Sequence, residues 1–448
     1  MAQQVYRRHF ISAIGAGGAV GLAGCLGDDN DGNGDENGTE TGNGDENGAE
    51  TSNGDENGNG DENGTETGNG DENLDRTLRV GVVQPQTGAL GAVGQPVTDA
   101  ARLPVRQIER ADTSLSVDLQ TEDTQTEPQA AISAAQGLVD AGYPAISGPL
   151  STATTLQIVE NVTVPNEVVQ CTLGTAPVIS AVEDNDFLFR TSTSDEFMSQ
   201  AIAQVATEKA QAETVSTLSI NDAYGQSLAE AFAEAFEGEV LDQVAFDPEE
   251  TSYTSQLSEA LSDDPDALYV VAFTENGIQI LRDFYADFDG ETQILGSAGL
   301  RNPELGDNVD ADLTNITGVD TIGAGPSVDY FTDLYEDEYD RETTQFTWQA
   351  YDATAVLLLA NAAAGENDGA SVRDQMREVA SPNGESVGAE NLVAGLEMAA
   401  SGTEITYRGV ATDVVFDENG DIESGSYVTY SYDESGALQL GERIDIGE

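Results

Sequence analysis

The run Thr214-Val-Ser-Thr-Leu-Ser-Ile220-Asn-Asp-Ala-Tyr-Gly225-Gln-Ser-Leu228-Ala-Glu-Ala-Phe232-Ala-Glu-Ala-Phe236 decides the fold. Its first part, Thr214–Ile220, is rich in β-branched residues and reads as a strand. A polar break follows. Leu228, Ala231, Phe232, Ala235 and Phe236 then recur at spacings of three, one, three and one, which draws a single apolar stripe along a helix. A strand followed at once by a one-faced helix is the repeating unit of an α/β sheet.

The same grammar extends in both directions. Further strand candidates are Leu78–Val83, Ser116–Gln120, Ala145–Ser147, Glu167–Cys171, Leu268–Phe273 and Thr292–Leu295. Leu281, Phe284, Tyr285 and Phe288 form a second stripe, and Tyr351 to Ala364 is almost wholly apolar, which predicts a helix buried between layers. The C-terminal end reads as a β-meander: Val414–Phe416, a turn at Asn419-Gly420, Tyr427–Tyr432, a turn at Asp433–Gly436, and Arg443–Ile446. Asp417, Asn419 and Asp421 mimic the start of a calcium loop, but Ile422 and Val428 stand where that loop needs Gly and Glu. A core running from 74 to 448 would exceed the usual single-domain limit of about 250–300 residues, so two lobes are expected.

Charge narrows the function. The 448 residues carry 83 acidic against 16 basic side chains, a formal charge of −67. Sixteen of the acids lie in 27–73, and 74–448 keeps 67 acidic and 14 basic residues, with Lys209 the sole Lys. Such a surface repels nucleic acid and anionic membranes. Its self-repulsion is tolerable where the Debye length falls to about 3 Å, near 1 M salt, so the composition points to work in concentrated brine. His9 is the only histidine and lies in a segment expected to be removed, which leaves no His base, His ligand or Ser-His-Asp triad. No metal site and no cofactor are expected.

The N-terminus reads as an address. Arg7-Arg8-His9-Phe10-Ile11 is a twin-arginine pair, Ile11 to Gly24 is uncharged, and Leu22-Ala23-Gly24-Cys25 resembles a lipobox. The reading is a signal peptide over 1–24, lipid attachment at Cys25, and an acidic tether over 25–75. The tether repeats Asn-Gly-Asp-Glu-Asn from Asn33, Asn43, Asn53, Asn59 and Asn69 and has almost nothing to bury. As coil, 27–73 would reach about 35–40 Å. Asn37, Asn63, Asn161 and Asn315 each head a glycosylation sequon. The expected location is the outer face of the cell membrane, by lipid anchor alone.

Two loops carry candidate chemistry. Gly148-Pro-Leu-Ser151-Thr152 and Leu173-Gly174-Thr175-Ala-Pro177 each follow a strand and precede a helix, with Ser151 or Thr152 and Thr175 placed as caps. Backbone N–H groups and hydroxyls at such helix ends suit a carboxylate, although plain capping explains most residues of this kind. Gly88-Ala-Leu-Gly91-Ala-Val-Gly94 lacks dinucleotide spacing and reads as a tight turn. Cys171 has no His or Lys near it in sequence and reads as a small buried hydrophobe.

Asn221-Asp-Ala-Tyr-Gly225, Tyr253 through Leu257, Asp266-Ala-Leu-Tyr-Val-Val271 and Ala350-Tyr-Asp-Ala353 together resemble the branched-chain amino-acid type of solute-binding proteins, the receptors of ATP-binding-cassette importers. The resemblance runs from about 77 to 446. It implies a type I periplasmic-binding fold of two lobes, each a mostly parallel sheet flanked by helices, with three hinge crossings near 192–194, 322–326 and 408–412. Lobe 1 would take 76–192 plus 325–408, and lobe 2 would take 193–324 plus 409–448.

The resemblance also implies a site. Ligand carboxylate groups would meet Ser151, Thr152, Leu173, Gly174 and Thr175, with Tyr224 and Phe273 as aromatic walls. The acid that would hold an α-ammonium falls in the turn Gly296–Gly299, where Ala298 stands, and an expected Tyr appears as Val93. Either Glu275 or Asp123 substitutes, or the ligand has no α-amino group. The expected function is a monomeric, non-catalytic receptor that closes on a small organic solute and delivers it to a permease and its ATPase subunits. Sensing of amides, urea or aromatic acids on the same fold is the alternative, with an exported hydrolase behind it.

Overall fold

Strand and helix alternate because a strand buried on both faces needs cover from its neighbours, and short connections supply it. The computed structural model describes residues 76–288, 290 and 292–447. The first five strands are β1 (Thr77–Gln84), β2 (Ser116–Asp123), β3 (Ala145–Ser147), β4 (Val169–Thr172) and β5 (Leu188–Arg190). They form one parallel sheet in the order β2-β1-β3-β4-β5. Then come β6 (Thr214–Ile220), β7 (Glu239–Phe246), β8 (Ala267–Val271), β9 (Gln293–Gly296) and β10 (Ile316–Thr321), followed by the small parallel pair β11 (Glu385–Val387) and β12 (Ile405–Tyr407). With β13 (Gly425–Tyr432) and β14 (Leu438–Ile446), a second sheet takes the order β14-β13-β10-β9-β8-β6-β7. Within it β6 to β10 run parallel and the last hairpin is antiparallel.

The chain therefore passes between the sheets three times: after β5, after β10 and after β12. The two-lobed α/β architecture expected from sequence is the observed one. The helix Thr347–Ala364 returns from the second sheet to cover the first, and fifteen of its 18 residues are buried. Its all-round apolar character follows from that position, with β1 on one side and the helices Gly91–Arg110, Gly369–Met376 and Leu392–Ala400 around it.

Inside this helix Asp352 anchors the third crossing. Its carboxylate accepts from the Tyr407 hydroxyl at 2.6 Å and from the backbone N–H groups of Val410 and Ala411, each at 2.8 Å. Burial pushes Asp352 up to about 7, against the pull of these bonds. An acid with a raised folded pKa holds a proton that the unfolded chain releases. Its contribution is thus full below about pH 4 and is lost as pH climbs to about 7, at up to about 1.4 kcal/mol per pH unit. Thermal melts of wild type and Asp352→Asn between pH 4 and 8 should differ in slope, the wild type losing more on the alkaline side. Parallel curves would contradict this.

Three local expectations change. Val414–Phe416 is no strand: only Phe416 bridges to Ile422, because the Asp417 carboxylate caps the backbone of Asn419 and Asp421 and draws the segment into a loop. β5 and β7 lacked a clear sequence signal, being short in one case and an edge strand with half its residues charged or exposed in the other. β10 was masked by Gly318, which is required because the Tyr430 ring lies across it; an added Cβ would sit 2.2 Å from the ring. The Asn315 sequon is also occupied structurally, since its amide donates to the Gly290 and Thr292 carbonyls. The signal peptide, Cys25, the tether, Asn37 and Asn63 lie outside the described residues.

Candidate ligand-binding site

The two loops at the carboxyl edge of the first sheet form one patch. Leu173 N–H donates to the Pro149 carbonyl at 3.0 Å, and Gly148 N–H to that of Cys171 at 2.7 Å. Thr172 Oγ1 donates to the Pro149 carbonyl at 2.9 Å and lies 2.7 Å from Thr155 Oγ1. A Cβ on Gly174 would press on the end of the Ile179 side chain at 2.6 Å and come within 3.4 Å of the Thr152 backbone, which places the two loops in contact. Ser151, Thr152, Leu173, Gly174 and Thr175 are brought together.

Their local roles differ from simple capping. Ser151 stands at the N-cap of Thr152–Ile158 but its side chain makes no capping bond. The segment after Thr175 is a single 3₁₀ turn, Pro177–Ala181, headed by Ala176. The amides of Leu173 and Gly174 already serve the loop itself, the latter bound to Thr172 Oγ1 at 3.1 Å. Thr175 Oγ1 instead donates to Asp195 Oδ2 at 2.7 Å, and Asp195 N–H returns a bond to the Thr175 carbonyl at 2.7 Å.

Asp195 is the residue that sequence reasoning missed. It opens the helix Asp195–Glu208 just past the first crossing and is 3% exposed. Burial pushes its carboxyl up to about 7, opposed by the Thr175 bond and by Arg190. Arg190 is committed elsewhere: it pairs with Asp421 at 2.6 Å and donates to the Thr175 and Ala176 carbonyls and to Ser180 Oγ. Among the described residues Asp195 therefore has a hydroxyl partner and no ion pair within 4 Å. The adjacent Ser194 had masked it, since Ser-Asp-Glu reads as an ordinary helix start; Ser194 does accept from Glu196 N–H.

The second lobe faces this patch. Tyr224 is the second residue of the helix Ala223–Ala235, capped by Asp222, and stacks on Phe273 with ring centroids 5.7 Å apart and an interplanar angle of 12°. That helix abuts both Thr152–Ile158 and Pro177–Ala181 of the first lobe. Burial and the nearby Asp195 push the Tyr224 phenol well above its ordinary range, while its bond to Ser297 opposes this. Phe273 packs against the cores of both lobes. Ala298 begins a short turn, and its carbonyl accepts from Gln345 Nε2 at 2.9 Å.

Of the two proposed stand-ins for a missing acid, Glu275 is exposed. Asp123 is spent on its own loop, accepting from Gln86 and Thr87 N–H, Thr87 Oγ1 and Gln125 N–H. Burial raises it, but these bonds together hold it below the usual carboxylate range. Val93 packs on the first core. Cys171 is wholly buried, and burial pushes its thiol up, which suits a packing role. A groove of about 530 Å³ between Gln204–Lys209 and Glu442–Asp445 lies apart from all these residues. Among the described residues no cluster of His, Cys, Asp or Glu is arranged to hold a metal ion, and no helix is long and apolar enough to cross a membrane.

Two α/β lobes with a buried polar patch between them are the frame of a receptor that encloses a small molecule. Residues 77–393 match the family of periplasmic binding proteins, and the chain belongs to that family. It is a family of solute receptors and not of enzymes. The chain is 22% identical over 348 residues to BasB, a chemotactic signal transduction system substrate-binding protein of Halobacterium salinarum, covering 75% of this chain and 82% of BasB. In fold it is similar to the branched-chain amino acid transporter substrate-binding protein LivJ of Streptococcus pneumoniae, solved with isoleucine (TM-score 0.67, 20% identity, 83% of this chain and 100% of that one). It is also similar to a solute-binding protein of Rhodopseudomonas palustris solved with 3,4-dihydroxybenzoic acid (TM-score 0.64, 18% identity, 83% and 98%).

Proposed function

We propose that this chain is the solute-binding receptor of an ATP-binding-cassette importer and that its solute is an amino acid with an apolar side chain. The observation that carries the reading is Asp195, a buried carboxylate beside Thr175 that makes no ion pair among the described residues, the nearby Arg190 being paired with Asp421. A buried charge in that state is costly, and a ligand ammonium would relieve it. Asp195 thus takes the part left open at Ala298. Tyr224 and Phe273 form the apolar wall, and Ser151 and Thr152 face the carboxylate end. Lobe 1 comprises 76–192 plus 325–408 and lobe 2 comprises 193–324 plus 409–448. Binding shifts an open–closed equilibrium toward closed by hinge bending at the crossings. The closed monomer docks on a permease whose ATPase subunits do the work; this chain catalyses nothing and uses no cofactor. Lipid at Cys25 and the acidic tether hold it outside the cell membrane after twin-arginine export.

Calorimetry at multimolar salt with leucine, isoleucine and valine, against short amides and benzoate, tests the ligand class. Amino acids should bind and the others should not. Silence to every amino acid would defeat the reading. Thr175→Val should weaken binding at least tenfold through loss of one buried hydrogen bond to a charged group, without unfolding the protein. The similarity to BasB supports a second reading, in which the closed form signals to a chemotaxis transducer. Uptake of labelled solute by cells lacking the receptor separates the two, since only an importer's loss abolishes it.

A further inference from the structure

We infer that Gln345 is a closure residue, a latch by which the first lobe holds the second independently of the solute. Gln345 lies in the loop between the helices Val328–Tyr339 and Thr347–Ala364, both packed on the first core. Its Nε2 donates to two acceptors on the other lobe: the Ala298 carbonyl at 2.9 Å and Asp320 Oδ2 at 2.6 Å. Asp320 is fully buried at the end of β10 and also pairs with Arg301 at 2.9 Å, so the amide joins a charge-assisted network. The turn at Ala298 offers no side chain to a ligand's ammonium. It offers a backbone carbonyl to the opposite lobe instead.

A second observation is independent of these bonds. Phe346, the next residue, has φ of +64°, a left-handed conformation that a bulky aromatic side chain rarely adopts. Such backbone persists only where its surroundings enforce it, and here it sits directly between the latch and the helix it is tied to. Two residues beyond Phe346, the indole of Trp348 lies against Gly323 in the second crossing, where a Cβ would meet it at 2.7 Å. The segment therefore grips the second lobe and the hinge at once.

The inference rests on the reading that the lobes close around a solute, and its test separates the two. Trp348 is the only tryptophan, so its emission reports the crossing in the full-length protein. Gln345→Met keeps the volume and removes both bonds. Without solute, it should shift Trp348 emission to the red and expose it to acrylamide, with a melting profile still cooperative. Leucine affinity should fall about tenfold, because the closed form is less populated. Gln345→Ala should do the same, and saturating leucine should restore the wild-type emission. Emission and affinity unchanged in both variants would overturn the latch. A shifted emission in a protein that binds no amino acid would keep the latch and defeat the amino-acid reading.

Discussion

Asp195→Asn should lose amino-acid binding about thirtyfold or more while leaving the ligand-free protein no less stable, and at pH 8 a degree or two more so. The two halves of this result come from one cause. In the ligand-free protein the carboxylate is 3% exposed and, among the described residues, takes a hydrogen bond from the Thr175 hydroxyl and no ion pair. Neutralising it removes a desolvation cost. With solute bound, the same charge faces an ammonium, and breaking a desolvated, hydrogen-bonded charge pair costs about 2–5 kcal/mol. At about 1.4 kcal/mol per decade, that is the stated loss.

The sign of the pH dependence follows. Asp195 is pushed up to about 7, so below that pH the empty site carries a proton that must leave when a cationic group enters. Affinity should therefore fall by up to tenfold per pH unit on acidification below 7, and calorimetry in two buffers of different ionisation enthalpy should register the released proton. The Asn variant should show neither effect. A variant that binds leucine as tightly as wild type at pH 8 would remove Asp195 from the site.

The second large effect concerns Arg190, which is fully buried at the end of β5. Its guanidinium pairs with Asp421 and donates to the Thr175 and Ala176 carbonyls, so one side chain ties the first sheet, the loop after β12 and the ligand loop together. Arg190→Met strands Asp421 and should cost about 3–5 kcal/mol of stability. Removing both partners, as Arg190→Met with Asp421→Leu, should cost distinctly less, since no buried charge is then left alone. Thermal melts of the two variants decide it. If the double variant melted lower than the single by the full cost of a second independent loss, the buried-charge account would be wrong.

What could be read from the sequence was what periodicity and turn chemistry encode locally. The stripe from Leu228 to Ala235, with Phe236 just past the end, and the apolar run Tyr351 to Ala364 fall on helices, and Ala145–Ser147 and Thr214–Ile220 are strands at those bounds. The gathering of Ser151, Thr152 and Leu173 to Thr175 followed from two consecutive strand–loop–helix units. What escaped notice depends on contacts remote in the chain. Gly318 in β10 makes sense only with Tyr430 laid over it. Asp195 looks like any helix-opening acid until Thr175, twenty residues earlier, is set against it. The surroundings of Thr175 spell a cap, but the nearby carboxylate outcompetes the turn for its hydroxyl. Gln345 carries no local signal at all.

The threefold passage of the chain bears on how the protein is made. When a ribosome has released residues up to about 320, all five strands of the first sheet have emerged, but the helix Thr347–Ala364 that covers them has not. The second sheet waits longer still, for β13 and β14 at the far end. The first half lacks its covering helix until residues past 364 are out, and the second lacks Tyr427, Tyr430 and Tyr432 until β13 is made, so apolar strands stay exposed in the meantime. Chaperone capture of nascent chains should accordingly persist until β13 is out, and truncation of the last strands should destabilise the second half while leaving the first core whole.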